Sequence, residues 1–171
     1  LSKVELSQLE AMLHDAILKL GLKNAVVKGD LVYSEGQFYI IELALRLSGG
    51  FFCSHEIPLN TGVDFIGAAV RLALGQKVEA KELQPKFNKP VVQRYLFAKP
   101  CVLESIEGWD QAKSVEGIEF TSAMLHKGQE LSSPTHAGAA SAAVVIATGK
   151  TKQQATQSAE RAIELLHIIS S

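Results

Sequence analysis

The sequence has few cysteines, almost no net charge and no long apolar run. Cys53 and Cys101 are far apart and lack metal-ligand spacing, which indicates reduced, buried thiols in a cytoplasmic protein. A formal net charge of -1 gives no electrostatic basis for binding nucleic acid or a membrane surface. No apolar run approaches the ~20 residues of a membrane span, and no signal peptide is recognisable.

Common catalytic motifs are also missing from the sequence. It contains no Gly-x-Ser-x-Gly and no convincing pair of cysteine and histidine, so nucleophilic catalysis is not supported. Its histidines lack zinc spacing. No glycine-rich phosphate loop with a lysine precedes residue 29. The chemistry therefore has to come from another kind of site.

Residues 29–50, GDLVYSEGQFYIIELALRLSGG, predict a β-hairpin that carries acids and an arginine on one face. Side chains alternate between the two faces of a strand, so even-numbered positions share a face. That face holds Lys28, Asp30, Glu42 and Arg46, together with Val32, Phe38, Ile40 and Ala44. The other face is predicted to be the core face, with Leu31, Tyr33, Tyr39, Ile41, Leu43 and Leu45.

The length of the turn decides whether the two acids meet. A three-residue turn over residues 35–37, with Gly36 in a G1 bulge, places Asp30 opposite Glu42. Their Cβ atoms are then about 4.5–5.5 Å apart, close enough to share a divalent cation such as Mg²⁺. A two-residue turn would put the acids on opposite faces. We therefore predict the three-residue turn.

A salt-bridge network is an alternative explanation for the same pattern. Lys28 and Arg46 could simply pair with the two acids on a solvated face, because structural ion pairs also gather charges. Two features favour a site instead. The face also carries apolar residues, and the loop amides of Ser48, Gly49 and Gly50 could receive an anion.

The run Gly-Asp-(x)11-Glu-x-Ala-x-Arg-x-Ser-Gly-Gly resembles the metal-binding hairpin of the ATP-grasp superfamily, in particular its carbamoyl-phosphate synthetase and L-amino acid ligase-like branch. The resemblance implies that Asp30 and Glu42 bind Mg²⁺, or Mn²⁺ in its place, against the phosphates of ATP. It implies that Arg46 contacts the transferred phosphoryl group. Ala44 stands where the superfamily often has an asparagine ligand, which leaves open whether one or two metals bind.

The resemblance also implies an α+β fold in two parts. Residues 1–78 would be the C-terminal portion of an ATP-grasp catalytic domain, an antiparallel sheet with flanking helices. Residues 79–171 would be a small α+β subdomain. The N-terminal half that cradles ATP has no counterpart here and the chain begins at Leu1, so we expect a fragment that is inactive alone.

Local signals predict the individual elements. Helices are expected after the capping boxes Ser2-x-x-Glu5 and Thr151-x-x-Gln154, and over residues 63–74 and 109–114. Strands are expected at residues 24–34, 37–46, 91–98, 101–106, 118–126 and 141–148, and a polar loop at 132–138. Strands followed by a covering helix favour α+β over a parallel doubly wound sheet.

The expected function is an ATP-dependent carboxylate–amine ligase that forms an acyl phosphate from a small-molecule carboxylate, which an amine then attacks. The loop of Ser48, Gly49 and Gly50 would orient the substrate carboxylate or the acyl phosphate. His55 would contact a substrate carboxylate or amine, unless it is an ordinary surface histidine. The alternative function is a non-catalytic interaction or assembly module, a homodimer for example, with a degenerate site.

Overall fold

The computed structural model describes residues 1–131 and 141–171, so the predicted loop at 132–138 lies outside the described residues. The helices are α1 (Lys3–Lys19), α2 (Ile57–Thr61), α3 (Phe65–Ala73), α4 (Trp109–Lys113) and α5 (Lys152–Glu164), with a π-helix at Phe52–Glu56 and a 3₁₀ helix at Ala80–Leu83. The strands are β1 (Lys28–Ser34), β2 (Gln37–Ala44), β3 (Val91–Phe97), β4 (Cys101–Glu107), β5 (Ile118–Ala123), β6 (Glu130–Leu131), β7 (Ser141–Thr148) and β8 (His167–Ser170). Every pairing between them is antiparallel, which confirms the predicted α+β class.

The chain divides into two compact units that interleave in sequence. Unit 1 comprises Leu1–Cys53 and Asp64–Leu83, and unit 2 comprises Ser54–Val63 and Gln84–Ser171. The segment at residues 54–63 therefore packs with the later part of the chain. The predicted domain boundary between residues 78 and 79 stays a prediction.

Unit 1 contains α1, the β1–β2 hairpin and α3. The predicted capping box is present, because the Ser2 hydroxyl accepts from the Glu5 amide and the Glu5 carboxylate accepts from the Ser2 amide. The Tyr33 hydroxyl donates to the other oxygen of Glu5 and ties the hairpin to the helix. Of the side chains in unit 1, all of which the structure describes, only Cys53 and Ala68 are buried. Unit 1 thus has almost no core of its own.

Unit 2 has a well-filled core centred on β7. This strand lies between β3 and β5, and all eight of its residues are buried. Helix α5 covers one face of the sheet. Its buried residues Ala155, Ala159 and Ala162 form a narrow stripe that packs on Val145 and Ala147 of β7. Alanines let a helix approach a sheet closely, so little volume is left unfilled.

A second small sheet in unit 2 has the order β6-β4-β8, with Leu103 at 2% exposure in its core cluster. The sequence did not predict β8, since Ile169 continues the helical spacing of the apolar residues of α5. Strand β5 ends at Ala123, three residues before the predicted end. Among the described residues, no helix combines the length and the apolar character that crossing a membrane requires.

Candidate functional site

The hairpin turn has two residues, so the predicted three-residue turn is wrong. Ser34 pairs with Gln37, and Glu35 and Gly36 lie between them with φ of 51° and 78°. Two successive positive φ values are the mark of a type I′ turn, whose twist matches that of the flanking strands. Gly36 adopts this conformation at little cost because it has no Cβ.

A β-bulge nevertheless places Asp30 opposite Glu42. Leu31 pairs with Ile40 and Asp30 pairs with Glu42, so Ile41 is an extra residue without a partner on β1. Without the bulge, a two-residue turn would have paired Asp30 with Ile41. The predicted pairing of Asp30 with Glu42 is therefore observed, but the extra residue lies in β2 rather than in the turn.

The bulge also changes which apolar residues share the face of the acids. Before it, Tyr33 pairs with Phe38 and their rings are 4.6 Å apart, on the same face as Leu31 and Ile40. Tyr39 pairs with Val32 and shares the face of Asp30 and Glu42. The prediction that Tyr39 and Ile41 lie on the core face is therefore wrong. Ile41 is 67% exposed, and the less exposed side chains of this stretch are Phe38 and Ile40.

The two acids have different electrostatic surroundings. The Lys28 ammonium forms an ion pair with Asp30 Oδ2, so one contact of the alternative salt-bridge network is present. Within the part of the chain that the structure describes, the Glu42 carboxylate has neither a hydrogen bond nor an ion pair. Arg46 lies just beyond β2, and its guanidinium donates to the carbonyl of Leu47 at 3.2 Å rather than to either acid.

The glycine loop after Arg46 turns sharply. Gly50 and Phe51 both have positive φ, 63° and 68°. The Ser48 amide donates to Cys53 Sγ at 3.2 Å, and the Phe52 amide donates to the Gly49 carbonyl. The buried Cys53 thus stabilises the conformation of the loop through this hydrogen bond. The proposed roles of Ser48, Gly49 and Gly50 as anion-binding residues stay a prediction.

His55 belongs to unit 2, on the π-helix Phe52–Glu56. Its Nδ1 is 2.8 Å from Ser54 Oγ, and its ring lies 4.0 Å from the ring of Phe120. The structure therefore shows a packed histidine rather than a fully solvated one, and its role with substrate stays a prediction.

Sequence reasoning missed Glu56 and Tyr95, two residues of unit 2 whose pKa is shifted. Burial raises the pKa of the Glu56 carboxyl above its ordinary value, and burial together with the charge of Glu56 raises the pKa of the Tyr95 hydroxyl. An acid next to a histidine in a short polar segment was the available signal. No sequence signal marked Tyr95, because it looks like an ordinary strand residue.

The described residues contain no group of three or more histidine, cysteine, aspartate or glutamate side chains placed to hold a metal ion. Asp30 and Glu42 provide two carboxylates on neighbouring strands. Mg²⁺ is commonly held by one or two carboxylates plus phosphate oxygens and water. The hairpin thus fits a metal that arrives with a phosphate ligand better than a metal enclosed by protein alone.

Comparisons with known proteins identify the kind of fold. Residues 94–170 match the family model for the L-amino acid ligase C-terminal domain 2. No curated protein matches the chain. Phosphoribosylglycinamide synthetase from Anaerococcus prevotii has a similar structure, with a TM-score of 0.83 and 18% identity, over 100% of this chain and 43% of that one.

Two further solved structures agree. L-amino acid ligase from Bacillus licheniformis matches with a TM-score of 0.79 and 18% identity, over 100% of this chain and 42% of that one. N5-carboxyaminoimidazole ribonucleotide synthetase from Thermotoga maritima matches with a TM-score of 0.70 and 13% identity, over 100% and 44%. The chain spans less than half the length of these proteins. It has part of the ATP-grasp fold, which confirms the predicted resemblance at the level of fold.

Proposed function

We propose that this chain is part of an ATP- and Mg²⁺-dependent carboxylate–amine ligase and supplies its metal-holding hairpin. The observation that carries the proposal is the pairing of Asp30 with Glu42 across the hairpin. The ATP-grasp fold and the match of residues 94–170 to a ligase domain support it.

The residues of the hairpin suit this role chemically. Mg²⁺, when bound, would neutralise the β- and γ-phosphates of ATP, and Asp30 and Glu42 would supply its protein oxygens. The Lys28 ammonium competes for Asp30, so metal binding would loosen that ion pair. Arg46 would release the Leu47 carbonyl and stabilise the charge on the transferred phosphoryl group.

The rest of the proposed reaction comes from the resemblance to ATP-grasp ligases. The substrate carboxylate attacks the γ-phosphorus of ATP, ADP leaves, and the resulting acyl phosphate is attacked by an amine to give an amide and phosphate. The loop at residues 48–50 would hold the substrate carboxylate or the acyl phosphate. His55 would contact a substrate group.

Unit 1 supports the proposal that further polypeptide completes the enzyme. An apolar cavity of about 340 Å³ lies between α1, α3 and the segments 25–27 and 78–83. Large apolar side chains such as Leu18, Val70 and Leu74 are more than half exposed. Additional chain packed here would bury this surface. We therefore propose that residues 1–171 alone do not turn over.

The test is ADP release and Mg·ATP binding by the full-length protein. Glu42→Gln keeps the shape of the side chain but removes its charge, and we expect ADP release to fall on the order of 100-fold. Glu10→Gln is the matched control, because Glu10 is an exposed acid on α1. If Glu42→Gln and Glu10→Gln both behave like wild type, the metal assignment is wrong.

The Lys28–Asp30 ion pair and the exposed apolar surface of unit 1 favour a second candidate, a self-associating module that has lost its metal site. Light scattering of this chain during a Mg²⁺ titration separates the two candidates. A stable homodimer that is indifferent to Mg²⁺ would support the module. A full-length protein that releases ADP with dependence on Glu42 would exclude it.

A further inference from the structure

One face of the β3-β7-β5 sheet in unit 2 carries polar and aromatic side chains. The register pairs Gln93 and Phe120 with Ile146, and Tyr95 and Ser122 with Val144, so these residues lie on the same face. Helix α5 covers the opposite face. We call the face with Gln93, Tyr95, Phe120 and Ser122 the polar face.

The His55 ring packs on the polar face. It lies 4.0 Å from the Phe120 ring of β5 at an angle of 39°. Glu56 follows directly, and its charge acts on the Tyr95 hydroxyl of β3. The Gln93 side-chain amide donates to the same hydroxyl oxygen. The Gln93–Tyr95 hydrogen bond and the His55–Phe120 stack thus share the polar face, and Glu56 directly follows the stacked histidine.

Glu56 is the unusual member of this group. Its side chain is partly buried, yet within the described ranges 1–131 and 141–171 its carboxylate neither accepts a hydrogen bond nor pairs with a cation. Glu56 stands at the N-cap of α2 but makes no capping hydrogen bond with its side chain. Burying a charge without a partner costs free energy, so the Glu56 carboxylate does not stabilise the fold. A role in ligand binding explains such a residue better than a role in stability.

We propose that Glu56, Tyr95 and the His55–Phe120 stack form a binding site for a primary ammonium group. A carboxylate accepts strong hydrogen bonds from an ammonium, and the oxygen of a tyrosine hydroxyl is a second acceptor. Aromatic rings attract a cation placed over their faces. Assigning this ammonium to the amine substrate of the ligase rests on the proposed function, whereas the binding itself does not.

The proposal is tested by titrating the ¹⁵N-labelled chain with benzylammonium chloride, without Mg²⁺ or nucleotide. We expect saturable amide shifts at residues 54–56, 93–95 and 120–122. Benzyl alcohol has the same shape without the charge and should leave these signals in place. Glu56→Gln should weaken benzylammonium binding at least about tenfold. Glu116→Gln, an exposed acid of the same unit, should change it by less than about twofold.

Thermal unfolding of Glu56→Gln separates a binding role from a structural one. Because burial of the charge is a cost, this variant should unfold at the wild-type temperature or above it. A lower temperature, or a variant that fails to fold, would mean that the carboxylate supports the structure, and the proposal would be wrong. Tyr95→Phe keeps the ring and should weaken benzylammonium binding while the chain stays folded.

Three other results would overturn the proposal. They are no shifts at tens of millimolar benzylammonium, equal binding of benzyl alcohol, and unchanged affinity in Glu56→Gln. None of them bears on Glu42, since the titration contains neither metal nor nucleotide. Conversely, normal ADP release in Glu42→Gln would remove the metal assignment and leave the ammonium site standing.

Discussion

Gly108 is a position at which one added methyl group should severely destabilise unit 2. It precedes α4 with φ of 91°, and a Cβ placed there would lie 1.9 Å from the Leu165 carbonyl oxygen. That oxygen belongs to the backbone at the end of α5, so it cannot move without disturbing the helix packed on β7. Gly108→Ala therefore combines backbone strain with a collision.

The expected loss follows from these two contributions. A non-glycine residue in such a conformation costs about 1–3 kcal/mol. Displacing packed backbone adds an overpacking cost of about 1–3 kcal/mol. A total of about 2–6 kcal/mol lowers the Tm of a domain of this size by at least about 8 °C, at about 4–8 °C per kcal/mol.

Gly128→Ala is the matched control. Gly128 has φ of 80°, but a Cβ there would meet no atom within 4 Å. It therefore carries the strain of about 1–3 kcal/mol without the collision, and its Tm should fall by about 4 °C or more less than that of Gly108→Ala.

The assay is thermal unfolding followed by the fluorescence of Trp109, the one tryptophan in the sequence. Trp109 begins α4 next to Gly108 and packs against the core cluster of Ala112, Val145 and Ala162, so it reports on unit 2. If the Tm values of the two variants agree within about 3 °C, the collision with Leu165 is not what restricts this position.

Two hydrogen bonds to acids give further predictions. Tyr33→Phe removes the hydroxyl that is the largest cause of the low pKa of Glu5, so that pKa should rise from about 2 towards 4.5 in an NMR titration of the carboxyl carbon. Because the pKa of Glu5 is lowered in the folded state, Glu5 stabilises the fold above pH 4.5, and this contribution is lost as the pH falls towards 2. An unchanged pKa of Glu5 in Tyr33→Phe would refute the role of the hydroxyl. Thr148→Val removes the 2.6 Å hydrogen bond to Glu119 and should lower the free energy of unfolding by about 1–3 kcal/mol at neutral pH, measured by denaturant unfolding. Thr121→Val is the control and should change this free energy little. Thr148 lowers the pKa of Glu119, so the difference from wild type should shrink as the pH falls below 4.5 through that lowered pKa; a constant difference would contradict it.

The elements with local signals were predictable from the sequence. The Ser2–Glu5 capping box begins α1 as expected, and Gly75, with φ of 72°, follows the end of α3. Strand β7 also reads directly from its run of small apolar residues, because a fully buried strand needs no alternation. These features depend on neighbours in sequence.

Features that depend on distant contacts were not predictable. The bulge at Ile41 has no signal of its own, since an exposed isoleucine in a strand looks like any alternating residue. The π-helix Phe52–Glu56 precedes a proline-containing helix and lacks a helical stripe. Glu56 acts on Tyr95, which lies almost 40 positions away in the sequence, so the residues around Glu56 could not reveal this interaction.

The bulge at Ile41 has a consequence for the way such hairpins are recognised in sequences. A three-residue turn with regular strands and a two-residue turn with one bulged residue both leave eleven residues between the two acids. An insertion in the turn and a deletion in the strand can therefore offset each other without moving the carboxylates apart. Two hairpins with the same motif spacing can therefore adopt different backbone conformations. A homologue that differs in only one of the two, the turn length or the bulge, should have one residue fewer or more between the two acids.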